Sequence, residues 1–275
     1  QVIYNTAAKS LIVENDKLCG FTAEKEDGTP ITVHAGAVII ASGGFLGNRD
    51  LQEKFLHTRK LNAAAGGNSL CTGDGIVMAN DAGAVLCKTF GYCPCEYGGT
   101  NSKASRPAKQ DKYDQNYCFK FGLYGNLLVD GEGKRFISEL TTRDVTSAAV
   151  SKQTGGTAFE IFDDKVRQSV KQTGAAFELG LAKEGKTLAE LAKNAGIDPK
   201  NLEATIAQYN KYAEAGKDPD FNRPGLNAKL KVDKAPFYAI EITPAIHYYM
   251  GGLKFNGKTQ VINTSGKPIG GLYAA

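Results

Sequence analysis

No apolar run in the 275 residues approaches the roughly 20 needed to span a bilayer, which excludes a membrane-spanning helix. The first residues also lack the charged-then-apolar form of a signal peptide, and the compartment is left open. An excess of one charge is missing too. Lys and Arg number 33 against 29 Asp and Glu, the formal net charge is +4, and the lysines are scattered among acids. That balance does not build the basic stripe of a nucleic-acid surface. Six cysteines stand at 19, 71, 87, 93, 95 and 118, without paired Cys-x-x-Cys motifs or a nearby histidine, so no metal site is expected. Cys93-Pro94-Cys95, the close pair, reads as reduced thiols, and scattered cysteines in a chain of this size suit a reducing or anaerobic setting.

At 42% hydrophobic, the chain can bury a substantial core and is long enough for two domains. Runs at Leu11-Ile12-Val13, Leu18 to Glu24 and Ile31-Thr32-Val33 are separated by turn residues and predict a small β-meander. Ala37 to Ala41 is apolar on both faces and ends in Ser42-Gly43-Gly44, as a buried parallel strand with a ligand at its carboxyl end would. Thr72-Gly73-Asp74-Gly75 leads into a short helix, Ile76 to Ala84, closed by glycine. From about Ser102 to Lys231 helical patterns dominate. Leu202, Ile206, Tyr209 and Tyr212 form a packing stripe on a helix capped by Asp198-Pro199. Gly216 to Gly225, with Pro219 and Pro224, reads as a loop. Strands return at Pro236 to Ile242 and Thr259 to Ile262.

Chemistry concentrates between Gly131 and Asp144, where Arg135 and Arg143 stand among Glu132, Glu139 and Asp144 around a turn. A guanidinium offers a planar fork that grips a carboxylate with two parallel hydrogen bonds. Held at a reacting carbon, it can also pass a proton, although its high pKa makes this unusual. The competing reading of an Arg-Asp pair at a helix start is capping and surface charge. Asp74 lies in a small-residue turn that admits a close planar ligand, and equally suits a helix N-terminal acid. His247-Tyr248-Tyr249-Met250-Gly251-Gly252 reads either as a ring-binding segment or as an aromatic strand end before a turn.

Glu132-Gly133-Lys134-Arg135-Phe136 followed by Glu139 to Asp144, Val38 to Phe45, Thr72 to Gly75, His247 to Gly252 and Gly271 to Ala275 together resemble the flavoprotein family of soluble fumarate reductases, urocanate reductases and related enoate reductases. The resemblance implies a mixed α/β (α+β) fold. A partial glutathione-reductase-like FAD-binding domain would cover residues 1–101 and 232–275, and an inserted α+β clamp, or capping domain, residues 102–231. The clamp would close over the flavin and exclude water. FAD is the implied cofactor, with Ala41, Ser42 and Gly43 beside its adenosine part and Asp74 and His247 beside the flavin. Hydride would pass from the reduced flavin N5 to one alkene carbon while Arg143 gives a proton to the other. Arg135 is assigned to structure, paired with Glu139. The implied partners are a small unsaturated carboxylate and an electron donor outside this chain, whether heme, FMN or NADH. Family members open with a Gly-x-Gly-x-x-Gly turn and continue past the last residues seen here, so the chain is expected to be a central piece that does not itself retain FAD.

The sequence departs from fumarate reductases where substrate is held. Their second histidine before Met-Gly-Gly is here Tyr248, and the threonine after it is Tyr249. A Thr-Glu pair upstream matches Cys118 and Phe119, and a following arginine matches Gly122. A dicarboxylate would leave one charge poorly satisfied there, at a cost of about 1–3 kcal/mol. The expected substrate is therefore a larger enoate, an aryl acrylate or urocanate-like acid, contacted by Tyr248, Tyr249, Cys118 and Phe119. Two alternatives stand beside it. One is a ketosteroid-dehydrogenase-like flavoprotein that uses tyrosines, against which Thr141-Thr142-Arg143-Asp144 argues, and the other is a catalytically inactive clamp-bearing fragment.

Overall fold

The structure, a computed structural model, describes residues 1–45, 47–56, 71–87, 91–98, 122–178 and 180–275. In chain order the elements are β1 (Thr6–Glu14), β2 (Lys17–Lys25), β3 (Pro30–His34), β4 (Val38–Ile40), α1 (Arg49–Leu56), α2 (Asp74–Asp81), β5 (Gly91–Gly98), β6 (Leu127–Val129), α3 (Arg143–Val150), β7 (Ala158–Asp163), α4 (Asp164–Ser169), α5 (Gln172–Glu178), β8 (Ala182–Gly185), α6 (Leu188–Ala195), α7 (Pro199–Ala215), β9 (Phe237–Met250), β10 (Gln260–Ile262) and β11 (Pro268–Ala274). They fall into two compact units, Gln1–Thr58 with Asn68–Tyr92 and Tyr248–Ala275, and Arg59–Gly67 with Cys93–His247.

The first unit is built on a six-stranded sheet in which β1, β2 and β3 form the expected antiparallel meander. Asn15 and Asp16, at φ 51° and 60°, make the β1–β2 turn. Two consecutive left-handed residues give a hairpin turn whose twist matches its strands. β4 runs parallel to β11, with Val38 opposite Leu272 and Ile40 opposite Ala274. The strand is parallel as the sequence predicts, but it is not buried on both faces, since Ile39 is 68% exposed. The core of Leu18, Ala79, Val261 and Leu272 receives Val38 and Ile40 from one side only, and the pleat turns the intervening Ile39 away from it.

The second unit holds a sheet in the order β5-β9-β7-β6, with β8 also on β9. Its two faces carry separate cores. Leu127, Val129, Ile161 and Ala239 pack against Leu191 of α6 and Leu202, Ile206 and Tyr209 of α7. Leu128, Phe162 and Ile240 point the other way, onto Val150 of α3, Val166 of α4 and Ala176 of α5. Full burial of each leucine, isoleucine, valine or phenylalanine among these contributes about 1.5–3 kcal/mol. Asp198 caps α7 through the Asn201 amide at 2.8 Å, as the Asp198-Pro199 pair predicts, and Gly216 ends it in the left-handed region. β6, β7 and β8 fall in a stretch read as helix-dominated. β6 is a three-residue apolar run with no alternation to read, and β7 carries buried Glu160 and Asp163 in its apolar pattern.

Candidate functional site

Within the second unit, the segment between β6 and α3 folds onto a buried cluster of charge. Asp130 Oδ1 accepts hydrogen bonds from the amides of Glu132 (3.0 Å) and Lys134 (2.9 Å), which tightens the turn after β6. The Thr205 hydroxyl of α7 donates to the Gly133 carbonyl at 2.8 Å and pins that turn to the helix. Arg135 then grips Glu139 with both edges of its fork, at 2.7 and 2.8 Å, and donates to Asp218 at 2.7 Å. The pairing of Arg135 with Glu139 is the one the sequence suggests. Rings of Phe221 and Tyr209 lie 4.9 and 5.3 Å from its guanidinium carbon, a cation–π arrangement. Glu139 also accepts from Arg223 Nη1 at 2.8 Å and from the Leu128 amide at 3.3 Å, while Arg223 donates to the Asn126 carbonyl at 2.9 Å. The Asn126 side-chain amide in turn donates to Glu160.

Arg135, Arg223, Glu139 and Asp218 thus leave water together, and each cation faces a carboxylate of the cluster. Burial alone would lower the pKa of Arg135, but the hydrogen bonds and charges of Glu139 and Asp218 prevail and raise it. For Asp218, burial works to raise the pKa and the Arg135 hydrogen bond prevails in lowering it. A carboxyl whose folded pKa lies below its unfolded value stabilises the fold when ionised. That contribution is present above about pH 4, the unfolded aspartate value, and disappears as pH falls through the lower folded value. Urea midpoints should therefore drop on acidification below about pH 4, and Asp218→Asn should show a smaller drop from a lower starting point.

Sequence reasoning did not single out Asp218 and Arg223. Both lie in the loop after α7, yet are only 2% and 3% exposed. The one signal was two acids and an arginine crowded around Pro219 and Pro224.

Arg143 differs from Arg135 in every respect. It is the first residue of α3, is exposed, and makes no side-chain hydrogen bond or ion pair with another described residue. The N-cap is Thr142, whose side chain makes no capping bond. A cation at a helix N-terminus opposes the helix dipole. Proteins break such local rules chiefly at functional or strained positions. An exposed guanidinium at a helix N-terminus is suited to a carboxylate.

In the first unit, Ala41, Ser42 and Gly43 follow β4 directly and are exposed. Gly73 (φ 85°) precedes α2, and the exposed Asp74 opens it. Gly75 seats that helix end against β4, since a Cβ there would overlap the Ser42 hydroxyl and the Ile40 side chain. The carboxyl end of a parallel strand and a helix N-terminus are thereby held side by side, lined with small residues. Gly252 (φ 131°) comes near Ile76 of α2 and accepts the Cys87 amide at 2.8 Å, and Tyr248, in the same chain segment, is 49% exposed. The side chains of His247 and Tyr249, with Cys118 and Phe119, lie outside the described residues, as do those of Cys93 and Cys95. Among the described residues, Cys19, Cys71 and Cys87 are free thiols, no group of three or more His, Cys, Asp or Glu could hold a metal ion, and no helix is long and apolar enough to cross a membrane.

A family described as FAD binding domain matches residues 1–275. The chain belongs to the FAD-binding domain family. FAD is therefore its cofactor, and the small-residue junction of β4 with α2 fits the close backbone approach a dinucleotide needs. Over 295 residues the chain is 35% identical to a cytochrome-type fumarate reductase of Shewanella frigidimarina, covering 100% of this chain and 48% of that protein. The chain spans about half the length of the curated relatives it matches. The open conformation of a flavocytochrome c3 fumarate reductase superposes with a TM-score of 0.73 at 29% identity, covering 98% of this chain and 46% of the other. The 3-ketosteroid Δ1-dehydrogenase of Sterolibacterium denitrificans follows at 0.71 and 23%, covering 98% and 53%, a likeness of fold alone. Gly75→Ala, by prising α2 from Ser42 and Ile40, is expected to weaken FAD binding about tenfold, a loss of about 1.4 kcal/mol, in a flavin titration of the enzyme carrying this chain.

Proposed function

We propose that the chain is part of a flavin-dependent oxidoreductase that reduces the C=C bond of an α,β-unsaturated carboxylate, with Arg143 as proton donor. The observation that carries this reading is the contrast between the two arginines of one motif, Arg135 buried and fully paired, Arg143 exposed at the start of α3 without a partner among the described residues. FAD, when bound, supplies the hydride. Arg143 delivers the proton to the other alkene carbon, and its fixed fork orients the substrate. Ala41, Ser42 and Gly43 line the adenosine part of the cofactor, with Asp74 and His247 beside the flavin. Residues 102–231 act as the clamp, and the electron donor lies outside this chain.

The substrate side consists of Tyr248, Tyr249, Cys118 and Phe119. Two phenols and a phenyl ring favour an aryl or larger enoate over fumarate. The test is a reduced-viologen assay of the FAD-loaded enzyme carrying this chain, with fumarate, urocanate and cinnamate as substrates. Urocanate or cinnamate should exceed fumarate in kcat/KM by about tenfold or more, as expected when one carboxylate goes unsatisfied. Fumarate as the best substrate would sink the aryl assignment, and turnover of a steroid ketone with an artificial acceptor, without enoate turnover, would sink the reaction class.

A further inference from the structure

The buried charge cluster ends four residues before Arg143, and the connection between them is short and fastened at both ends. Glu139 is 1% exposed and receives Arg135, Arg223 and the Leu128 amide. Beyond it, the Thr141 and Thr146 hydroxyls are hydrogen-bonded at 2.7 Å. The Thr146 hydroxyl and amide both donate to the Thr142 carbonyl, at 3.1 and 3.0 Å. Thr146 is fully buried, and Val150, one turn further along α3, belongs to the core beneath the sheet. The backbone from Glu139 to Thr146 is thus tied to β6 through Leu128, to the loop after α7 through Arg223, which the Asn126 carbonyl also holds, and to α3 through Thr146.

We propose that Glu139, Arg223 and Thr146 are positioning residues for Arg143, fixing where its backbone stands and so where its guanidinium reaches. A surface arginine on a loose turn would need none of this. Four buried charges are a costly way to anchor a turn whose only task is to connect a strand to a helix. A proton donor must stand within hydrogen-bond reach of one carbon, where a misplacement of about 1 Å costs on the order of a hundredfold in rate. The proposal rests on the reading of Arg143 as proton donor.

The test uses the FAD-loaded enzyme carrying this chain, reduced viologen, and the enoate turned over fastest among fumarate, urocanate and cinnamate. Arg223→Lys keeps the cation but cannot span both the Glu139 carboxylate and the Asn126 carbonyl as a fork does. Thr146→Val keeps shape and removes the hydroxyl, and serves should the first variant fold poorly. Each should lower kcat at least tenfold while KM stays within about threefold and the flavin spectrum is unchanged. In an Arg143→Lys background the same changes should lower the remaining rate less than twofold, because a donor already displaced has little position left to lose. Equal fold-losses in both backgrounds, or a kcat within twofold of native for the variants that fold, would overturn the positioning role. Near-native turnover in Arg143→Lys alone would instead overturn the proton-donor reading, and the positioning role with it.

Discussion

Arg143→Ala in the FAD-loaded enzyme is expected to lower kcat for enoate reduction by about 10²–10⁴, the range a positioned proton donor supplies. Flavin absorbance should be unchanged, because the proposed role of Arg143 is toward the substrate and not the cofactor. Reduction of the flavin by viologen should continue at the native rate, while its reoxidation by enoate stalls. That split separates loss of the proton from loss of the cofactor. The same variant should be slightly more stable than native, by about 0.3–1 kcal/mol, since an exposed cation leaves the positive end of α3. Turnover within threefold of native would remove Arg143 from the chemistry, and a fall in stability would mean that its side chain has a structural partner after all. Arg143→Lys should recover little of the rate, for a point charge on a flexible stem replaces an oriented planar fork.

Much of this was legible because the governing signals are local. The hairpin at Asn15-Asp16, the cap of α7 at Asp198, and the packing stripe of Leu202, Ile206 and Tyr209 depend on residues within a turn or two of each other. The pairing of Arg135 with Glu139 was accessible for the same reason, since the two are four residues apart. Asp218 and Arg223 reach Arg135 and Glu139 across more than 80 residues, and nothing in a proline-bounded polar loop distinguishes charges folded inward from charges in water. β7 was hidden by an inversion of the usual pattern. Glu160 and Asp163 are buried because Asn126 and the capped start of α4 satisfy them, so their polarity misstates their place in the strand. β4 failed in the opposite sense. A continuous apolar run cannot say which of its residues the core receives, and here Ile39 is the one left out.

The largest stability effect should fall on Glu139 rather than on any core leucine. Glu139→Ala takes a carboxylate from two buried guanidinium groups at once, together with the acceptor of the Leu128 amide, whereas Asp218→Asn removes one charge partner of Arg135 and leaves Glu139 in place. Breaking a buried ion pair from one side costs about 3–5 kcal/mol, a large share of the roughly 5–15 kcal/mol that holds a domain folded. Urea unfolding at neutral pH should therefore give Glu139→Ala a lower midpoint than Asp218→Asn. Arg135 should suffer nearly as much when replaced alone by Met, since it leaves Glu139 with one cation and Asp218 with none among the arginines. Replacing Arg135, Glu139, Asp218 and Arg223 together by apolar residues of similar volume should cost far less than Glu139→Ala, because these four charges then leave together and none of them is left without its counterpart. If that fourfold variant is stable yet turns enoates over slowly, stability and catalysis will have been separated within one cluster. The charges would then be shown to act on the reaction through the placement of Arg143.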